Sequence, residues 1–204
     1  MIIAIEGVSS TGKSTLVASL AHQLGWDTVS CYYHVADDPA VLGEPLATSE
    51  DEQLAAVTAH LAIEEQRHRQ AQAALARHGG VILDRSVDTV LAHMGAVDRI
   101  QGLDARARAL ALVTERVAAD AATVPDLTLL LTAAPEVLGS RAARRPGLPR
   151  LYYDPAFVTH FNAHFAAPLS LRCVRLDAEA APEAVLDAAL NQITHVDVIS
   201  AGRT

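Results

Sequence analysis

The chain has 204 residues, half of them hydrophobic and 20% charged, so it can bury a sizeable core as one domain, or as a core domain with a small insert, and is too apolar to be disordered. Sixteen Lys and Arg against 24 Asp and Glu leave a formal charge of −8, which argues against a nucleic-acid partner and requires any anionic ligand to be caught by a local positive site. No basic leader precedes the first apolar run, no apolar stretch approaches ~20 residues, and Cys31 and Cys173 lie far apart without a paired spacing. The expectation is a cytoplasmic protein with reduced thiols and no membrane partner.

Apolar residues over 2–6 predict a short buried strand. Leu16, Val17, Leu20 and Leu24 recur at helical spacing over 14–24, and Gly25 stops that helix. Residues 28–33 are β-branched and aromatic and predict a second strand, whereas 34–48, with Pro39, Gly43 and Pro45, read as loop. Ser49 and Glu52 have capping-box spacing and open a helical pattern that lasts to about residue 78. After Gly79-Gly80 a third strand covers 81–83 and ends at Asp84, followed by helices at about 86–94 and 104–122. A fourth strand is predicted over 127–131, a helix over 135–145, an arginine-rich break over 144–150, a helix over 154–165, a fifth strand over 173–176 and a last helix over 182–193. Strands alternating with helices predict a parallel sheet covered on both faces, over a domain spanning 1–194 with a tail at 195–204.

Between the first strand and the first helix, Gly7-Val8-Ser9-Ser10-Thr11-Gly12-Lys13-Ser14 satisfies GxxxxGK[ST]. Glycines let the backbone curl so that several N–H groups point at phosphate oxygens, and the helix N-terminus adds partial positive charge. The segment from Gly7 to Thr15 is therefore the expected site for ATP, with Lys13 reaching the β- and γ-phosphates and the Ser14 hydroxyl ligating Mg²⁺.

Asp84 ends a predicted buried strand, on the edge where open α/β sheets bind ligands; it is read as a metal-holding or proton-accepting carboxylate, or else as a plain helix cap. Arg85 is read as a bridge between donor and acceptor phosphates, or else as a surface ion pair. Arg141, Arg144, Arg145 and Arg150 lie within ten residues, and Arg141 and Arg145 share a helix face. Arginines on a mobile segment can close over a transferring phosphate; the alternative is a solvated basic turn.

The segment "GVILDRS" resembles the DR(Y/S) segment of thymidylate kinases and the ERS segment of deoxynucleoside kinases. "AIEG", "LGEP" (42–45), "EEQRHR" (64–69), "PDLTLLL" (125–131), "PEVLGSRAARR" (135–145) and "LYYDPAFVTHF" (151–161) follow the same order, so the resemblance covers about 2–193. It implies a three-layer P-loop fold with a five-stranded parallel sheet and a short arginine-rich lid at about 141–153, MgATP as phosphoryl donor, a nucleotide or nucleoside acceptor, and Arg67 as the residue that holds the acceptor. The related kinases are often dimers, and the stripe Leu54, Val57, Leu61 fits a homodimer as well as a core.

The chain departs from the thymidylate-kinase pattern around the acceptor. Ser9 stands where that family has an acidic residue, Ile63 where it has a phenylalanine, Ser86 where it has an aromatic, and no arginine precedes Arg67. A monophosphate brings about two negative charges and wants several cations, whereas a hydroxyl acceptor needs fewer cations and a base, which Asp84 would supply. A nucleotide, a nucleoside and another small alcohol such as a drug or secondary metabolite all remain open. Tyr33 and Tyr153, with Tyr32 and Tyr152, are candidates for the acceptor pocket, ordinary packing being the alternative. His60, Glu64 and His68, and likewise His160 and His164, are expected on solvated helix faces rather than as metal ladders. A nucleotide-dependent switch without a small acceptor is the reading from another class; the DRS segment and the lid arginines count against it.

Overall fold

The computed structural model describes residues 1–145 and 147–201, with 196–201 as backbone. Strands β1 (Ile2–Glu6), β2 (Asp27–Val29), β3 (Val81–Asp84), β4 (Leu127–Thr132) and β5 (Cys173–Asp177) form one parallel sheet in the order β2-β3-β1-β4-β5. The central strands read as unbroken apolar runs because helices cover both of their faces. On one face Ile3, Ile5, Ile82, Leu127 and Leu129 pack under α1 (Lys13–Leu24) and α8 (Pro182–Ala201). On the other, Ala4 and Leu83 meet Ala71 and Ala74 of α3 (Glu50–His78), while Leu130 meets α4 (Val87–Gln101) and α7 (Pro155–His164). The expected three-layer α/β/α architecture is present. Among the described residues no helix is long and apolar enough to cross a membrane.

Parallel pairing puts the functional ends together. β1 pairs with β3 so that Ile5 lies opposite Asp84, and with β4 so that Glu6 lies opposite Leu130. The loop leaving Glu6 and the turn leaving Asp84 are therefore neighbours on one edge of the sheet.

Several boundaries differ from the sequence reading. The strand expected over 28–33 stops at Val29, and the chain turns into the short helix α2 (Tyr32–Val35). Tyr32 is pulled inward, with 2% of its surface exposed, and its hydroxyl donates to Glu64; burial of the ring outweighs the strand propensity of the segment. Helix α6 (Pro135–Ala142) ends before Arg145. Helix α8 runs beyond residue 193, through much of the segment read as a tail, of which 202–204 lie outside the described residues. The helix between α4 and β4 is α5 (Arg106–Ala118).

The histidine reading is corrected. Helix α3 is covered by β2 and β3 on one side and α5 on another, so Glu64 and His68 are buried rather than solvated, and His68 Nδ1 lies 3.0 Å from Thr123 Oγ1. His164 is buried as well, its Nε2 lying 2.7 Å from Asp88 Oδ1. Among the described residues no group of three or more His, Cys, Asp or Glu side chains is arranged to hold a metal ion. Val57 and Leu61 pack inside this chain against Val87, Val90 and Val113, with Leu54 at the edge of the same cluster, so of the two readings of the stripe the core is the one present.

Arg67 is also corrected. It is 1% exposed and lies in the wall of none of the cavities described below. Its Nε donates to Ser30 O, one terminal nitrogen to Glu64 at 2.5 Å, and the other to the carbonyls of Asp84 and Arg85 at 3.2 and 2.6 Å. The guanidinium also stacks 4.1 Å from the centre of the Tyr32 ring. Arg67 ties α3 to the ends of β2 and β3, away from the walls of those cavities. Removing one member of such a pair strands a buried charge, so Arg67→Met is expected to lower stability by about 3–5 kcal/mol. Adding Glu64→Gln should recover part of that loss; denaturant unfolding of the single and double variants checks both statements.

Candidate active site

Loop 7–12 alternates ordinary and left-handed backbone, with φ of 135° at Gly7, 68° at Ser10 and 97° at Gly12. Such alternation turns successive amides toward one centre and makes an anion nest. Gly7 admits no side chain, because a Cβ there would stand 2.5 Å from the Leu131 carbonyl of β4. Ser10 holds the left-handed conformation without being glycine, at a cost of roughly 1–2 kcal/mol. Helix α1 starts at Lys13 with no side-chain cap and no acidic residue in its first turn, so its leading N–H groups and positive end face the nest.

Lys13 is buried, and its Nζ donates to Val8 O at 2.8 Å. Burial, and after it the neighbouring Arg85, holds its pKa well below the usual lysine value. Asp84 is 8% exposed; its Oδ2 accepts from the Ser14 hydroxyl at 3.4 Å, and its Oδ1 is buried without a partner. A buried carboxylate oxygen with free lone pairs beside the P-loop hydroxyl is a donor set that fits Mg²⁺.

Glu6 escaped the sequence reading as a functional residue. It is fully buried at the end of β1 and accepts from the Ser86 amide at 2.7 Å, from the Ser86 hydroxyl at 2.9 Å and from the Thr89 hydroxyl. Burial raises its pKa, against the pull of Arg85. Between these anchors Arg85 takes a left-handed φ of 71° and donates to Gly7 O and Thr89 Oγ1, both at 3.2 Å. The signal for Glu6 was one charged residue closing a strand that is otherwise wholly apolar.

Three cavities meet at this edge. The first, about 280 Å³, is lined by Ser9, Ser10, Gly12, Lys13, Ser14 and Thr15 of the loop, with Asp84, Arg85, Arg141 and Arg145. It brings together Lys13, Asp84, Arg85, Arg141 and Arg145 of the residues expected around a transferring phosphate, without Arg144 and Arg150. The second, about 210 Å³, lies beyond it between Thr15, Arg141, Ala178 and Pro182. Arg141 stands between the two and donates to Ser10 O and Ala178 O. The third, about 500 Å³, shares Ser9, Cys31, His34 and Arg85 with the first and opens on the other side, toward Tyr32, Tyr33, His60, His93, Tyr152 and Phe157.

The third cavity settles where the tyrosines lie. Tyr33 is at its wall, 44% exposed, with its hydroxyl 3.3 Å from that of Tyr152. Tyr153 is not in the wall and packs partly buried with the α7 cluster; Tyr152 takes the position expected of it, because the two residues leave the turn 150–153 in different directions and Tyr152 lies edge-on to Phe157. Arg144 and Arg150 line none of the three cavities. The carboxylate in the third wall is Glu44, which sequence reasoning did not single out, whereas Asp84 lines only the first. Asp84 and Glu44 thus lie in the walls of different cavities.

No curated protein sequence matches the chain. Among solved structures, deoxyadenosine kinase from M. mycoides with the products dCMP and a flexible dCDP superimposes with a TM-score of 0.71 at 16% identity, over 96% of this chain and 100% of that one. The same enzyme with bound dATP gives 0.68 at 17% identity, over 95% and 100%. Thymidylate kinase from Candida albicans gives 0.69 at 20% identity, over 96% and 92%. At these identities the likeness is one of fold, and it is shared with the two kinase groups that the sequence resembles. A family model described as "AAA domain" matches residues 2–201, and with that match over a P-loop and its parallel sheet, the chain belongs to the AAA domain family.

Proposed function

We propose that this protein is an ATP-dependent kinase that passes the γ-phosphoryl group of MgATP to a small acceptor, a nucleotide, a nucleoside or another alcohol. The observation that carries the reading is Arg85, which lines both the phosphate cavity and the 500 Å³ cavity and is fixed to the P-loop through Gly7 O. One guanidinium at the border of two cavities is where a group crossing from donor to acceptor needs positive charge. A switch that only hydrolysed its nucleotide would have no use for the third cavity.

The roles follow from position. The nest amides and the α1 N-terminus bind the polyphosphate, and Lys13 neutralises charge on its outer phosphates. The purine lies in the slot between Arg141 and Ala178–Pro182, with Arg141 and Arg145 over the phosphates. Ser14 and Asp84 would hold Mg²⁺, which when bound neutralises phosphate oxygens. Glu44 is placed to accept a hydroxyl proton. Transfer of this kind is largely positioning and charge stabilisation.

Two predictions separate these roles. Lys13 has a depressed pKa in the free protein, and polyphosphate restores its charge. Binding therefore takes up a proton and weakens as pH climbs from that depressed value toward the usual ~10.4. Calorimetry of AMP-PNP and Mg²⁺ at about pH 9, in two buffers of different ionisation heat, should register that uptake, and Lys13→Ala should abolish both the uptake and about 10²–10³-fold of the turnover. The carboxylates should part company in a magnesium titration of the transfer rate. Asp84→Asn raises the Mg²⁺ needed for half-maximal rate, whereas Glu44→Gln lowers kcat by about 10²–10⁴-fold at unchanged Mg²⁺ dependence; the reverse pattern would exchange the two assignments.

A further inference from the structure

The charge inventory of the third cavity narrows the acceptor. We infer that the acceptor is an uncharged alcohol carried on a flat, mostly apolar body, and not a monophosphate; this rests on the kinase reading above. Among the described residues, the permanent cation in the wall is Arg85 alone, and it is already shared with the phosphate cavity and bonded to Gly7 O. Arg67, which the resemblance casts as the acceptor's cation, is held by Glu64 and three carbonyls. Arg141 and Arg145 line the donor side, and the described lid residues that reach the third cavity, Leu148, Pro149 and Tyr152, carry no cation. Against the one cation stands Glu44. The wall is close to electrically neutral before anything binds, and a phosphate dianion placed in it would meet one committed arginine and a like-charged carboxylate.

His60 and His93 do not change this balance. His60 Nδ1 lies 2.7 Å from Ala56 O and His93 Nε2 lies 2.7 Å from Pro45 O. A carbonyl only accepts, so each of these nitrogens carries the proton and donates it, and the other nitrogen of each ring is left as a bare acceptor. Burial lowers the pKa of both rings, that of His93 to about 4, which keeps them neutral at pH 7. His34, at the border with the phosphate cavity, has its Nδ1 3.5 Å from Cys31 Sγ. Bare ring nitrogens suit a ligand that brings O–H or N–H donors and repel phosphate oxygens.

The rest of the wall specifies the body of the ligand. Tyr32, Tyr33, Tyr152, Phe157 and Phe161 line it, with the His93 and Tyr152 rings standing at steep angles to Phe157 at 5.4 and 5.8 Å between centres. Aromatic walls of this kind hold planar apolar groups. In the transfer step the acceptor hydroxyl oxygen bonds to the γ-phosphorus as the bond from that phosphorus to the β,γ-bridging oxygen breaks. ADP leaves with the electron pair, and the hydroxyl proton passes to Glu44.

The test uses the intact protein saturated with magnesium and AMP-PNP, so that the γ-position is filled, and takes as binding to the third cavity only what Phe157→Ala, in its wall, weakens. Thymidine, deoxyadenosine and 2-phenylethanol are each titrated beside their own phosphate monoesters, with binding followed by thermal shift and calorimetry. The expected result is that at least one alcohol binds and that its monoester binds at least tenfold more weakly. A monoester bound as tightly as its alcohol, or failure of every alcohol to bind, overturns the inference while leaving the kinase reading standing. Absence of any stabilisation by magnesium and AMP-PNP alone would instead remove the kinase reading, and this inference with it.

Discussion

The geometry of the site depends on the buried carboxylate of Glu6. A charge taken out of water at the end of a central strand is costly unless its oxygens are fully bonded. Here the Ser86 amide, the Ser86 hydroxyl and the Thr89 hydroxyl surround it, and the Arg85 charge lies close by. The same bonds pin the turn after β3 to the end of β1. Arg85 is thereby held in a left-handed conformation that an arginine seldom adopts, and its side chain is delivered to the back of the P-loop. The hydrogen bonds that satisfy Glu6 also hold the strained turn at Arg85, so one set of bonds offsets both costs at the border of the first and third cavities.

The parallel sheet then does the sorting. Its strand ends put the nest, Asp84 and Arg85 on one edge, while the helices above that edge divide the surrounding space. Arg141 separates the phosphate cavity from the slot against Ala178 and Pro182, and Arg85 separates it from the aromatic cavity. Positive charge is concentrated at these two borders, and on the proposed reading that local concentration is what would attract a polyphosphate to an acidic chain of net charge −8. Beyond Arg85 the cations stop and aromatic rings take over. The change from charged to apolar lining across a single residue is the physical basis for reading one side as donor and the other as acceptor.

What could be read from the sequence followed from how local each signal is. The P-loop was legible because its glycines and lysine specify a backbone path within eight residues. The strands were legible because burial on both faces demands unbroken apolar runs such as "VILD" and "LTLLL". The setting of Arg67 was not legible because three of its four partners, the carbonyls of Ser30, Asp84 and Arg85, lie 17 to 37 residues away, and only Glu64 is local. Tyr152 and Tyr153 differ by one position on a short turn, where no periodicity says which ring faces inward. The α3 histidines were assigned to water because a helix covered on two sides has no single apolar stripe to read. Glu44 sits in a proline-containing loop whose approach to the cavity is a tertiary fact.

The central claim is that the 7–14 loop and Asp84 form one receptacle for a magnesium triphosphate, with Arg85 at its acceptor side. A crystal structure of the protein grown with magnesium and AMP-PNP tests it most directly. The account predicts the β-phosphate inside the arc of loop amides, a metal ion at about 2.1 Å from Ser14 Oγ and held on the Asp84 side, and the γ-phosphate directed at Arg85. A triphosphate bound elsewhere, or a γ-phosphate turned away from the aromatic cavity, would contradict it.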